Sequence, residues 1–207
     1  MTTRREAIRW LAGLPALGAI DWTSATVDRA ARHLRALAEM RAPYTPRFFT
    51  AHEWRTVHLL SDYVIPRDER SGSATDAQVP EFMDFMLADS DTSDAARVAM
   101  RGGLAWLDLT CKDGFGETFA DSSDAERRQL LDVIAWPAKA PPEMSAGVAF
   151  FDRFRDLTAS GFFSSEMGWK DLRYMGNVAL PSWDGCPPAA LDKLGVSYSI
   201  MDRKPPK

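Results

Sequence analysis

The chain has 207 residues, of which 45% are hydrophobic, and its formal net charge is −4 with a sequence pI near 5.4. This length and composition fit one domain with a substantial hydrophobic core. A mildly acidic chain lacks the basic face that binding to phosphates requires, so we expect no nucleic-acid partner.

The first 25 residues have the pattern of a twin-arginine export leader. Arg4 and Arg5 follow a threonine, and residues 10–20 (WLAGLPALGAI) carry no charge. Leaders of this type direct proteins that fold before they cross the membrane, so we expect a periplasmic protein exported by the twin-arginine route. Cleavage after Ala25 is the best candidate for processing, which sets the leader at residues 1–25.

The alternative for this N-terminal segment is an amphipathic helix that packs on the domain. Its apolar run is shorter than the about 20 residues that a membrane span needs. No later segment is long and apolar enough to cross a bilayer. We therefore expect membrane contact only through the leader or through a partner.

Residues 26–160 are predicted to form a helical domain, whose first part contains three helices. Apolar residues recur at helical spacing within 27–40. Thr50 and Glu53 have the spacing of a capping box, which predicts the start of a second helix. The third is predicted over 79–87, where a proline in the first turn is tolerated.

Three further helices are predicted in the second part of the domain. The sequence Thr-Ser-Asp around Ser93 is typical of a helix start, and glycines up to Gly116 end that helix. Ser123 and Glu126 form a second capping box. The last helix of the domain is predicted to end at Gly161, which we interpret as its C-cap.

Residues 161–207 are predicted to form an irregular extension that wraps the domain or a partner. The aromatic content of this segment is too high for a solvated, disordered tail. Strand signals are nearly absent from the whole chain. We therefore predict an all-α protein, with a single helical domain of about six helices and a long irregular, aromatic-rich C-terminal extension.

The helical domain contains few groups suited to catalysis or metal binding. Gly114-Phe115-Gly116 does not follow a strand, so we reject it as a flavin or nicotinamide site. His58 and Asp62 lie on one helical face, but such a pair without further ligands is typical of a surface hydrogen bond. We expect no catalytic residue, no cofactor-binding residue and no metal site in this chain.

Two cysteines, Cys111 and Cys186, lack the spacing of a zinc, iron–sulfur or haem-attachment motif. In an oxidising compartment they could form one disulfide. The alternative is two unpaired thiols that behave as small hydrophobic groups. The sequence leaves both alternatives open.

Two acidic residues near tryptophans form a possible sugar site. Asp171 lies close to Trp169 and Asp184 directly follows Trp183. Such clusters occur in sugar-binding sites, which would suit an independent periplasmic carbohydrate-binding module or a hydrolase using Asp171 or Asp184. They also occur at subunit interfaces, and we favour that interpretation.

Four segments together resemble the gluconate 2-dehydrogenase subunit 3 family. Residues 62–66 (DYVIP) and 79–84 (VPEFMD) are similar to the family patterns D-x-I-I-P and V-x-x-F-[IM]-D. Residues 161–165 (GFFSS) and 168–176 (GWKDLRYMG) are similar to its C-terminal motifs, except that Arg173 stands where a glycine is usual before the tyrosine. The resemblance covers about residues 48–190.

The resemblance implies a non-catalytic small subunit that stabilises and co-exports an FAD-dependent sugar dehydrogenase of the glucose–methanol–choline type. In such complexes FAD is bound by the large flavoprotein subunit, and a c-type cytochrome subunit accepts the electrons. We predict that aromatic residues of the extension contact the partner, since such residues often dominate protein interfaces. For Phe162 and Phe163 the alternative is a place in the domain's own core. The predicted contact residues are Phe162, Phe163, Trp169, Tyr174 and Trp183.

Overall fold

A computed structural model describes residues 24–40, 44–174, 176 and 185–198. Within these ranges the chain forms eight α-helices and one short 3₁₀ helix, and no strand. The prediction of an all-α protein is confirmed. The helices are α1 (Ser24–Met40), α2 (Ala51–Val64), α3 (Val79–Ala88), α4 (Asp94–Phe115), α5 (Asp124–Ile134), the 3₁₀ helix (Pro142–Met144), α6 (Ser145–Phe163), α7 (Glu166–Leu172) and α8 (Pro188–Leu194).

The chain divides into two compact units after Tyr174. The first unit contains α1–α7, and α6 runs through residue 160, where the sequence patterns placed a domain boundary. The second unit contains α8, which ends at Leu194 and is capped by Gly195 with φ of 64°. Within that unit the Cys186 amide donates a hydrogen bond of 2.6 Å to the Tyr198 hydroxyl.

Two helices of the first unit begin at the capping boxes that the sequence predicted. At the start of α2, the Glu53 amide donates to Thr50 Oγ1 at 3.3 Å, and the Thr50 amide donates to Glu53 Oε2 at 2.8 Å. Ser123 and Glu126 make the same exchange at the start of α5. These bonds satisfy amides that have no partner within the helix, so the residues themselves define where each helix starts.

Helix α6 lies at the centre of the first unit and packs against α2, α3, α4, α5 and α7. It buries Phe154 completely and leaves Leu157 2% exposed. Removing such large apolar side chains from water is the main driving force for packing the helices together. The largest fully buried side chains are Phe82, Phe119, Phe154, Phe162, Leu60, Met83, Met86, Leu87, Leu107, Ile134, Val57 and Val79.

Glycines allow α4 and α6 to approach closely. A Cβ atom at Gly103 of α4 would overlap the ring of Phe150 on α6, and one at Gly147 of α6 would overlap the ring of Trp106 on α4. Each glycine therefore receives an aromatic ring from the facing helix. This reciprocal arrangement explains why α4 tolerates glycine in its interior, where glycine costs about 1 kcal/mol relative to alanine.

The prediction that Gly161 caps α6 is wrong, because the helix continues to Phe163. Gly161 lies inside the helix, where a Cβ atom would approach within 2.8 Å of the Phe82 ring. Glycine is used here for close packing against α3 and not for a turn. The described part of the extension also contains α7 and α8, which the sequence patterns did not predict.

Among the described residues, none of the helices combines the length and the apolar character that a membrane span requires.

Candidate functional site

Large apolar side chains are exposed together at the end of the first unit. Trp169 and Leu172 of α7 are 40% and 58% exposed, and Tyr174 just after the helix is 56% exposed. Trp169 and Leu172 are three residues apart and therefore share one helical face. The Trp169 and Tyr174 rings meet edge to face with centroids 6.4 Å apart. We call Trp169, Leu172 and Tyr174 the aromatic surface.

Helix α7 is held in place by polar contacts at its start. The Ser165 hydroxyl donates to the Phe162 carbonyl at 2.6 Å and accepts from the Gly168 amide at 3.1 Å. A Cβ atom at Gly168 would overlap the Phe162 carbonyl, so only glycine fits at this junction. The Ser-Ser and Gly-Trp motifs thus fix the direction in which α7 leaves α6.

The two phenylalanines at the end of α6 lie in different environments. Phe162 is 1% exposed and belongs to the domain's own core, the alternative that the sequence left open. Phe163 is 39% exposed and meets Phe162 edge to face at 5.3 Å. Phe163 is therefore available at the surface, whereas Phe162 is not.

A groove of about 540 Å³ lies between α1, α3, α6 and α7. Leu34 and Arg35 of α1 line one side, and Met167 of α7 lines another. The Arg35 guanidinium lies 5.2 Å from the centre of the Trp169 ring, a distance typical of a cation–π contact. Sequence reasoning missed Arg35, because no local pattern indicates that residue 35 meets residue 169.

Several predicted site residues lie outside the described residues. They are Arg4 and Arg5 of the export signal, Trp183 of the predicted interface and Asp184 of the possible sugar site.

Asp171, the other member of the possible sugar site, makes an ion pair within the domain. Its carboxylate lies 3.0 Å from Arg70 Nη2, and its backbone carbonyl accepts a 2.7 Å hydrogen bond from the same group. The Asp171 side chain is 20% exposed. This contact ties α7 to the loop between α2 and α3, a structural role that needs no ligand.

Asp84, the last residue of the VPEFMD motif, is a fully buried carboxylate. It accepts hydrogen bonds from the amides of Arg47, Phe48 and Phe49 at 2.8–2.9 Å, and from the Tyr44 hydroxyl at 2.8 Å. Burial, together with the Asp84 carboxylate, raises the pKa of Tyr44. The motif aspartate therefore holds the segment before α2 against α3.

Asp62, which begins the DYVIP motif, has a similar role. Its two carboxylate oxygens accept bonds of 2.9 and 2.8 Å from the amide and hydroxyl of Thr75. These bonds close the polar loop between α2 and α3. Both motif aspartates thus organise loops, and their hydrogen-bonding capacity is used within the chain.

Two buried ionisable atoms in this region, Glu81 Oε2 and His58 Nε2, have no hydrogen-bond partner among the described residues. Burial raises the pKa of Glu81 and lowers the pKa of His58. Both shifts favour the neutral form. His58 also meets the Trp54 ring edge to face at 4.6 Å, and the nearby Asp62 carboxylate partly offsets the effect of burial on its pKa.

His52 pairs with Asp108, a contact that sequence reasoning missed. His52 Nε2 lies 2.5 Å from one Asp108 carboxylate oxygen, and the other oxygen accepts a 3.1 Å bond from the Phe119 amide. The pair joins α2, α4 and the loop after α4. Its two members are 56 residues apart in sequence, so no local motif could indicate it.

Cys111 and Cys186 are both free thiols, the first buried and the second exposed. Burial raises the pKa of the Cys111 thiol. In the part of the chain that the structure describes, no three His, Cys, Asp or Glu side chains form a group that could hold a metal ion.

The described residues form an all-α protein that exposes Trp169, Leu172 and Tyr174, and exposed apolar side chains of this kind are a candidate surface for binding another molecule. The sequence profile described as gluconate 2-dehydrogenase subunit 3 matches residues 51–181. The chain belongs to the gluconate 2-dehydrogenase subunit 3 family. No curated protein and no solved structure matches the chain. The family's description names its members as subunits of an oxidoreductase complex.

Proposed function

We propose that this chain is the non-catalytic small subunit of a periplasmic sugar dehydrogenase, and that it stabilises and co-exports the catalytic subunit. The catalytic partner is an FAD-dependent flavoprotein of the glucose–methanol–choline type. The observation that carries the proposal is the aromatic surface on a chain that belongs to a family of dehydrogenase subunits.

The stabilising role is supported by the exposure of Trp169, Leu172 and Tyr174. Covering an apolar surface removes it from water and gains about 25 cal/mol per Å² of area buried. Aromatic residues at the centre of an interface commonly contribute about 2 kcal/mol or more to binding. The aromatic surface therefore suits tight contact with the flavoprotein, and Trp183 and the exposed Phe163 are further predicted contacts.

The export role is supported by Arg4 and Arg5 and by the uncharged segment that follows them. A twin-arginine leader transports folded cargo, which suits a partner that must load FAD before translocation. In this proposal the flavoprotein carries no leader of its own and crosses the membrane bound to this chain. A c-type cytochrome subunit accepts its electrons in the periplasm.

The test is to express a candidate flavoprotein subunit from the same organism in a bacterium with a twin-arginine system. It is produced alone, with this chain, and with the double variant Arg4→Lys, Arg5→Lys. We expect soluble, FAD-loaded and periplasmic enzyme only with the unaltered chain. The double variant is expected to yield the same soluble, FAD-loaded complex in the cytoplasm.

The double variant is the matched control, because it changes the export signal and leaves residues 24–198 unaltered. It separates stabilisation from export. A flavoprotein that is equally soluble, FAD-loaded and exported without this chain would show that the proposal is wrong.

A further inference from the structure

We propose that the bond between Ala25 and Thr26 is not cleaved on export, so that the mature chain retains Ser24 and Ala25 and any processing of the leader falls upstream of Ser24. This inference rests on the proposed function, because it concerns a chain that is folded when it is exported. It moves the boundary between leader and domain to the start of α1.

The bond lies inside a helix that is part of the folded domain. Helix α1 begins at Ser24, and Thr26 in its first turn is only 5% exposed. One and two turns further on, Ala30 is fully buried and Leu34 is 8% exposed, and both belong to the hydrophobic core. The helix is therefore packed on the domain from its first turn onward.

Ion pairs hold the same end of α1 against the loop after α3. Arg29 Nη2 lies 2.7 Å from Asp91 and 3.3 Å from Asp89. The Arg29–Asp91 pair is largely exposed, and exposed pairs contribute little energy by themselves, whereas the Asp89 side chain is only 12% exposed. Both ion pairs add to the burial of Ala30, so several contacts must break together before the first turn can leave the domain.

A peptidase binds its substrate as an extended strand, because only extended backbone exposes the scissile bond and offers its amides and carbonyls for pairing. Cleavage after Ala25 requires extended backbone on both sides of that bond. The first turn of α1 would have to unwind, and Thr26 would have to leave its buried position. Cleavage of a folded chain therefore depends on the fraction of molecules in which the first turn of α1 is unwound.

The order of folding and export makes this protection effective. A passenger that crosses the membrane unfolded presents any bond to the peptidase. A twin-arginine passenger arrives folded, so α1 is already packed when the peptidase meets it. Helix α1, which follows the leader in sequence, also contacts the aromatic surface, because its Arg35 lies over the Trp169 ring.

The experiment is to isolate the exported complex and determine the N-terminus of this chain by intact mass and terminal peptide sequencing. We expect a chain that contains Ser24 and Ala25, and no species that begins at Thr26. A mature chain that begins at Thr26 would overturn the inference.

Two variants test whether the helix is the cause of protection. Asp28 is exposed, and proline at this position removes the amide that pairs with the Ser24 carbonyl and disfavours helix before it. Asp28→Pro should start α1 at residue 28 and release a chain that begins at Thr26. Asp28→Ala removes the same side chain, keeps the helix and should leave the N-terminus unchanged. Identical N-termini in both variants would show that the first turn of α1 is not what protects this bond.

Hydrogen exchange on the purified full chain separates this inference from the proposed function. The amides of residues 28–31 pair with the carbonyls of residues 24–27 if α1 begins at Ser24. We expect them to exchange slowly whether or not the chain is exported. Exchange at the rate of an unfolded peptide would overturn the inference and leave the proposed function in place. A chain that never leaves the cytoplasm would overturn the proposed function, even if these amides exchange slowly.

Discussion

The Tyr174 amide donates a 2.9 Å hydrogen bond to the Trp169 carbonyl, which closes the C-terminal end of α7 and brings the two rings together. The Arg173 amide bonds to the Lys170 carbonyl at 3.0 Å, and the two bonds form a Schellman motif. This motif requires left-handed backbone at Arg173, whose φ is 55°. A glycine at this position would adopt such angles without strain.

Arg173→Gly is expected to stabilise the chain by about 1 kcal/mol, because it removes the strain of a left-handed non-glycine residue. The measurement is urea unfolding of the purified chain. Arg128→Gly is the matched control: it lies on the exposed side of α5, where glycine should destabilise by about 1 kcal/mol. Equal destabilisation by both variants would contradict the left-handed geometry.

Trp169→Ala is expected to weaken binding of the flavoprotein about 30-fold, which corresponds to about 2 kcal/mol for a central aromatic anchor. The measurement is the dissociation constant by surface plasmon resonance. Trp136→Ala is the control, because Trp136 is 60% exposed and lies between α5 and α6, outside the aromatic surface. Equal losses for both variants would argue against the aromatic surface as the contact.

Asp84→Asn is expected to destabilise the chain by about 3 kcal/mol. Three amides and a hydroxyl donate to the Asp84 carboxylate, and an amide side chain would turn a donor toward some of them. The free energy of unfolding in urea measures the effect. Asp132→Asn, at an exposed position of α5, should change stability by less than about 0.5 kcal/mol. Similar values for the two variants would exclude a structural role for the motif aspartate.

Gly103→Ala is expected to destabilise by about 1–3 kcal/mol, because the new methyl group overlaps the Phe150 ring and forces α4 and α6 apart. Gly114→Ala lies on the same helix with no atom within 4 Å of the new Cβ. Gly114→Ala should instead raise the free energy of unfolding by about 0.5–1 kcal/mol, because alanine has a higher helix propensity than glycine. Thermal unfolding of both variants measures the two changes in stability. If both variants were more stable than the wild type, α4 and α6 would be less closely packed than the structure shows.

Glu81→Gln is expected to make the chain more stable at pH 7. Burial raises the pKa of Glu81 in the folded chain above its unfolded value, so ionisation at neutral pH destabilises the fold. This destabilisation disappears as the pH falls through the raised pKa and is absent below the usual carboxyl value. The stability difference between Glu81→Gln and the wild type should therefore decrease as the pH is lowered.

Urea unfolding of wild type and Glu81→Gln between pH 7 and 3 measures this dependence. Glu117→Gln removes one negative charge from an exposed loop and controls for the change in net charge. A gain from Glu81→Gln that is constant across this range would show that Glu81 is not held in a raised-pKa environment.

Helix starts were predictable from sequence because both partners of a cap lie within one turn. Thr50 and Glu53, or Ser123 and Glu126, form their bonds wherever the helix forms. The apolar spacing of the first six helices has the same local origin. The family resemblance also depends on short contiguous motifs, and the profile match over residues 51–181 confirms it.

The roles of the motif residues were not predictable from sequence. Asp84 and the amide of Phe49 are 35 residues apart, and a sequence shows neither the distance between them nor the burial that makes their bond important. Gly161 has the spacing of a helix end, and it lies inside α6 because Phe82 of α3 occupies the space of its side chain. A short-range pattern contains no information on which neighbour arrives from elsewhere in the chain.

The sequence by itself thus determined the helical class, the helix starts and the family, since each depends on residues that are close along the chain. Only the tertiary structure decided that Phe162 is buried while Phe163 is exposed, and that Arg35 lies against Trp169. It alone also placed Ala25 within a helix packed on the domain. These outcomes depend on which distant surfaces pack together, because burial is a property of the assembled core and not of a local segment.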